Sequence, residues 1–170
     1  MLRDVGIDYC IIGHSERRQY YHETDALLEK KIHLLHSHQI KPVLCCGEML
    51  PEREAGKQYE IVENQLTGSL KNISAEIMKT ITIAYEPVWA IGTGVTATPA
   101  QAQEMHAFIR KLIEKLFGPE IASSLRILYG GSVTPDNSAE LFSMPDIDGG
   151  LVGGASLKAD SFLKIISSCQ

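Results

Sequence analysis

The run Ala84 to Gly94, AYEPVWAIGTG, places one carboxylate, one proline and the chain's single tryptophan in an order suited to proton transfer. Glu86 ends a β-rich run, Thr80–Tyr85. Pro87 stops that strand because it has no N–H for a ladder. An apolar segment follows, Val88 to Ile91 with Trp89 at its centre, and Gly92 and Gly94 close it. A base fixed on a rigid strand beside an apolar lid is the expected layout, and lids of this kind exclude water. A carboxylate desolvated under such a lid gains basicity. For an isolated glutamate, a structural ion pair would be the better reading.

His14 is the second candidate. It follows the apolar run Tyr9–Ile12 and opens Ser15-Glu16-Arg17-Arg18. If that segment begins a helix, the positive end of the helix dipole disfavours a charged ring. A neutral imidazole there can donate a hydrogen bond to a carbonyl oxygen. The other histidines, His22, His33, His36, His38 and His106, lack this setting and read as structural or surface residues. Two glycine loops form the third candidate, YGGSV from Tyr129 to Val133 and LVGGASL from Leu151 to Leu157. Glycine lets backbone N–H groups close around an anion, above all where a helix begins. One such pair could be a plain turn, as Gly149-Gly150 is read here; two at successive strand ends point to a phosphate.

These residues need a frame, and the hydrophobic pattern supplies one. Short apolar runs at Tyr9–Ile12, Pro42–Cys46, Thr80–Tyr85, Arg126–Tyr129 and Gly150–Val152 read as strands buried on both faces. Helical stripes separate them: Leu28, Ile32 and Leu35; Ile61, Val62, Leu66 and Leu70; Met105, Phe108, Ile109, Leu112, Ile113 and Leu116; and finally Ala159, Phe162, Leu163 and Ile166. Thr98 and Pro99 predict the start of the third stripe as N-cap and first helical residue. Alternating β and α means a parallel sheet with helical crossovers, an α/β fold. Residues 1–170 carry no linker or low-complexity tract and read as a single domain. Glycine and polar residues gather just after each strand, the end where parallel α/β folds bind ligands.

Composition narrows the function classes. With 16 basic and 21 acidic residues the net charge is −5, and no basic run marks a nucleic-acid footprint. None of the four cysteines forms a CxxC pair, which speaks against structural zinc. They read as reduced, mostly buried thiols of a cytoplasmic protein. No stretch approaches the ~18 apolar residues of a membrane span.

The segments GHSERR (Gly13 to Arg18) and AYEPVWAIGTG, with the two glycine loops, resemble the triosephosphate isomerase family over essentially the whole chain. The resemblance implies a (β/α)8 TIM-barrel fold and interconversion of dihydroxyacetone phosphate and glyceraldehyde 3-phosphate through an enediolate, with no metal and no organic cofactor. It implies catalytic roles for Glu86 as base and His14 as electrophile, and phosphate binding by Gly92, Ser132, Gly153 and Gly154. Glu48 and Tyr129 match residues that hold the lid, Val88 to Thr93 including Trp89. Glu16 matches a carboxylate beside the active site, and Cys45 a buried cysteine. Each of these supporting positions reads equally well as an ion pair, a buried hydroxyl or an apolar filler.

A full barrel of this type takes about 250 residues. The resemblance covers the family's last five βα units. Its first three, the asparagine and lysine after its first strand, and the loop that joins its homodimer find no match here. The expectation is therefore an incomplete, open five-stranded parallel partial barrel, with Tyr9–Ile12 as a bare edge. The alternative to an active isomerase is an impaired fragment that acts at most as a phosphate-binding or interaction module.

Overall fold

A computed structural model describes residues 1–91 and 96–169. Strand β1 (Tyr9–Ile12) leads into α1 (Ser15–Tyr21) and α2 (Asp25–Ser37). Next come β2 (Lys41–Cys46), α3 (Leu50–Glu54), α4 (Gln58–Ser69) and α5 (Ala75–Met78). Strand β3 (Thr82–Tyr85) is followed by a 3-10 turn, Val88–Ala90, then α6 (Pro99–Phe117) and α7 (Pro119–Ser124). The chain ends with β4 (Ile127–Tyr129), α8 (Ser138–Phe142), a 3-10 turn Gly154–Leu157 and α9 (Ala159–Ser167). The strands lie parallel in sequence order, an open sheet β1-β2-β3-β4. The register is set by Ile12 opposite Leu44, Leu44 opposite Ile83, and Ile83 opposite Ile127.

Side-chain alternation splits the sheet into two unlike faces. One carries Ile12, Leu44, Cys46, Ile83, Tyr85, Ile127 and Tyr129. Against it pack Leu28, Ile32 and Leu35 of α2, Val62 and Leu66 of α4, and Met105, Ile109 and Ile113 of α6. The other face is a small cluster of Val43, Cys45 and Ala84, with Leu128 and Leu151 against it. The first predicted helical stripe thus lies in the core as expected, as does most of the second, whose Ile61 stays half-buried outside it, and most of the third, whose last residue, Leu116, stays exposed. Helix α6 starts where expected: Thr98 Oγ1 accepts from the Gln101 N–H at 3.2 Å, with Pro99 next.

Several expectations need correction. The sheet has four strands among the described residues, not five. The run Gly150–Val152 makes only a single parallel bridge, Tyr129 to Gly150. Flanking glycines, with Gly149 at φ 143°, favour a turn, and among the described residues no strand pairs with its other side to extend a ladder. Strand β1 is not buried on both faces, since Tyr9 and Ile11 are each 48% exposed. The last stripe is not a core stripe: in α9 only Ile165 is buried, while Phe162, Leu163 and Ile166 face outward. Strand β3 begins at Thr82 because residues 80 and 81 still belong to the turn that leaves α5.

Candidate active site

Alternation carries Glu86 onto the face of Ala84 and Cys45, one residue past the end of β3. Its backbone N–H donates to Cys46 O at 2.7 Å, so the β2–β3 ladder effectively runs through the site. Neighbouring strand ends come very close. A Cβ at Gly47 would lie 1.7 Å from Glu86 O, and one at Gly130 would lie 2.9 Å from Glu86 Cγ. Gly47 is needed for the close approach of the Glu86 backbone, and Gly130 for its side chain. Glu86 is 2% exposed. Burial raises its pKa above the ordinary glutamate range, against the opposing pull of His14 and of the Ser15 N–H and hydroxyl.

His14 caps α1. Its Nδ1 accepts from the Glu16 N–H at 3.4 Å, which leaves the ring proton on Nε2. Nε2 lies 3.0 Å from Glu86 Oε1. The imidazole therefore presents an N–H donor, oriented by the helix it caps. The turn that holds it is cross-braced. Arg18 Nε donates to Gly13 O at 2.9 Å, and its guanidinium reaches Asp25 Oδ1 at 2.7 Å and Cys45 O at 3.3 Å. Buried Glu23 accepts from the Gly13 N–H at 3.1 Å, from Arg17 Nε at 2.6 Å, and from Lys31.

A hollow of about 410 Å³ brings the separate candidates together, with His14, Glu86, Ile91, Ser132, Gly153 and Gly154 on its walls. Among the described residues, the N–H groups of Gly131, Ser132, Gly153 and Gly154 find no acceptor. Asn137 shapes the first loop, accepting from the Thr134 N–H at 2.8 Å and donating to Ser132 O at 3.0 Å. The second loop opens a 3-10 turn rather than an α-helix. Gly92 lies outside the described residues, as does the end of the Val88–Thr93 lid.

Glu48 is fully buried and accepts from Tyr85 OH at 3.0 and 3.1 Å, Trp89 Nε1 at 2.8 Å and Arg53 Nη1 at 3.1 Å. Its carbonyl takes the Val88 N–H at 3.1 Å, so both ends of this residue hold the start of the lid segment. Tyr129 is buried on the opposite, helix-side face, and burial pushes its phenol up to about 12. Glu16 is exposed; its contribution to the geometry is the backbone N–H that holds His14. Of the remaining histidines His106 is a core residue, its Nδ1 3.1 Å from Asp146 O and its pKa pulled down to about 4 by burial. Cys45 and Cys46 are buried thiols, while Cys10 is partly open and Cys169 exposed.

The residue that sequence reasoning missed is Ser15. Its N–H donates to Glu86 Oε2 at 3.0 Å and its Oγ lies 3.4 Å from Oε1. It lies inside GHSERR, but nothing local signals a partner 71 positions away. Arg53 was likewise missed as the cation beside Glu48. Among the described residues no group of three His, Cys, Asp or Glu is arranged to hold a metal. No described helix is long and apolar enough to cross a membrane.

A short base-and-imidazole pair at strand ends, facing two glycine loops with unused N–H groups, is a geometry for moving protons on a small anion. The family model described as triosephosphate isomerase matches residues 1–169. The chain belongs to the triosephosphate isomerase family. It is 56% identical to triosephosphate isomerase from Chloroherpeton thalassium over 170 residues, which cover all of this chain and 68% of that relative. The triosephosphate isomerases of Flavobacterium johnsoniae and Acetivibrio thermocellus are 54% and 55% identical, over 99% and 97% of this chain and 67% and 66% of their own lengths. The chain thus spans about two thirds of the length of these relatives. The open parallel sheet fits a partial barrel of that family.

Proposed function

We propose that this chain interconverts dihydroxyacetone phosphate and glyceraldehyde 3-phosphate, the step that links the two triose phosphates in glycolysis and gluconeogenesis. The observation that carries this reading is the pairing of Glu86 Oε1 with His14 Nε2 at 3.0 Å on the wall of the same hollow as the glycine loops. Glu86 takes a proton from the carbon next to the carbonyl. The electron pair moves into a C–C double bond, and the carbonyl oxygen becomes the oxygen of an enediolate. His14 turns its Nε2–H from Glu86 to that oxygen and stabilises the developing charge. Glu86 then returns the proton to the former carbonyl carbon, while the hydroxyl proton of the other carbon passes to the former carbonyl oxygen and leaves a C=O behind, which gives the isomer. The balance closes without an electron carrier, so no organic cofactor or metal enters the scheme.

Ser132, Gly153 and Gly154, with Gly92, hold the phosphate through backbone N–H groups. Trp89, tied to Glu48, anchors the lid end next to the base. Tyr129 and Glu16 support this arrangement, one at the lid and one beside the histidine. Residence in the cytoplasm is carried over from the family; the family's homodimer is not, because the loop that joins it finds no match in this chain, and the net charge of −5 and the want of a basic run speak against a nucleic-acid partner. A coupled assay on the purified chain tests the reading. Turnover that vanishes in Glu86→Gln supports it, and full turnover in that variant removes Glu86 from the role.

A further inference from the structure

Glu86 is a wall between two cavities. Behind it, away from the glycine loops, lies a second hollow of about 210 Å³ between α1, the β2–α3 turn and the first lid residue. Ser15, Cys46, Met49, Gln65, Glu86 and Val88 line it. An apolar cavity of ~150 Å³ admits benzene, so this one has space for a single ring with a substituent.

The chemistry of the lining selects among ring compounds. Cys46, Met49 and Val88 present apolar surface, and burial raises the Cys46 thiol's pKa, which keeps it neutral. The cation at the rim, Arg18, is already committed to Asp25 and to two carbonyls. Gln65 is committed at both ends, accepting from the Gly47 N–H at 2.9 Å and donating to Gly47 O at 3.0 Å. Of the polar atoms left with capacity, those beside Glu86 are acceptors, the Glu86 and Glu52 carboxylates and the Ser15 hydroxyl oxygen, while exposed Gln19 at the rim carries an amide that both donates and accepts. A hydrogen-bond donor fits such a lining and an anion does not.

We propose that this rear cavity binds a small neutral aromatic molecule carrying one donor group, a phenol in its simplest form, and that the bound ring holds Glu86 against Ser15. The ring's O–H donates to the carboxylate and stabilises its charge, which makes it a poorer base. The ring also packs on Val88, where the lid segment begins. Because the ligand and the triose phosphate lie on opposite sides of Glu86, the inhibition lowers kcat and changes KM little. This consequence rests on Glu86 being the base; the binding itself does not.

The test titrates 4-methylphenol into the full chain and follows backbone amide shifts, with isomerase kinetics measured separately. Saturable shifts are expected at Ser15, Gly47 and Val88 and not at Gly153, with toluene binding about tenfold more weakly. Met49→Trp and Gln19→Trp each fill the mouth of the cavity, and each is expected to weaken binding at least about tenfold while basal turnover stays within about twofold. No saturable shift, shifts centred on Gly153, or unchanged affinity in both variants overturns the site. Saturable binding with unchanged kcat overturns the inhibition. A chain whose turnover survives Glu86→Gln refutes the base assignment instead, and the amide shifts still decide the cavity.

Discussion

Two buried carboxylates, Glu48 and Glu86, follow neighbouring strand ends, and their surroundings could hardly differ more. Glu48 is surrounded by a phenol, an indole and a guanidinium, so a full positive charge sits at 3.1 Å. Among the described residues Glu86 has a backbone N–H, a hydroxyl, the Cys45 thiol and an imidazole with one ring proton, and no guanidinium or ammonium. The first arrangement neutralises a charge and turns it into a strut for the lid segment. The second leaves a charge under-compensated, and burial then raises its affinity for a proton. The difference between strut and base lies less in burial, which they share, than in whether a permanent cation was placed alongside.

The largest expected effect separates the two by removing each charge. Glu86→Gln keeps the shape but has one acceptor oxygen where the carboxylate has two, so it keeps only part of the Ser15 and His14 bonds, and it cannot accept a proton; turnover is expected to fall by about 10²–10⁴ in a coupled isomerase assay. Its stability moves the other way. A carboxylate whose folded pKa is raised contributes stability below its unfolded pKa and loses it as pH rises through the folded value. At neutral pH the neutral amide is therefore expected to melt higher than the parent. Glu48→Ala is expected to lose about 3 kcal/mol in urea unfolding, the low end for a broken buried pair because Arg53 keeps 15% exposure. A Glu86→Gln chain that melts lower, or a Glu48→Ala chain that melts the same, would remove the distinction.

A smaller change probes the strut alone. Trp89→Phe deletes one donor to Glu48 and leaves Arg53 and Tyr85 in place. The expected loss is about 1.5 kcal/mol, the value of a hydrogen bond to a charged group, together with a modest fall in kcat as the lid end loosens. Equal stability of the two chains in urea would show that the indole N–H is not a tether.

Much of this comparison could be read before any coordinates. Glu86 at a strand end, His14 ahead of a helix, and the Thr98–Pro99 start of α6 all follow from local rules: alternation, a missing N–H, a cap. The stripes of α2, α4 and α6 needed only a period of 3.6. What was not legible came mostly from distance. Ser15 and Arg18 meet partners far along the chain. The Arg53–Glu48 pair is local, five residues apart, but depends on α3 folding back over the turn after β2, which no pattern marks. Two of the errors share another cause. A strand at Gly150–Val152 and a buried stripe on α9 both require a neighbouring element, and a hydrophobic pattern shows that a face wants cover without showing what covers it.

The finest test concerns the proton affinity of the base itself. As pH falls, kcat/KM is expected to decline through a pKa above the ordinary glutamate range, because the working form of Glu86 is the carboxylate and burial favours its protonation. The Ser15 hydroxyl, 3.4 Å from Oε1, opposes burial by donating to the charged form. Ser15→Ala removes that donor and keeps the Ser15 N–H bond to Oε2, so the geometry survives while the charge loses support. The acid limb is therefore expected to move to still higher pH, at a stability cost of only ~0.5 kcal/mol for so long a bond. Among the described residues no permanent cation is paired with Glu86 to mask the change, whereas removing a hydroxyl near Glu48 would leave Arg53 to hold the charge. An acid limb that stays in place, or moves down, would mean that Glu86 is held by its neighbours as firmly as Glu48, and the contrast between strut and base would fail.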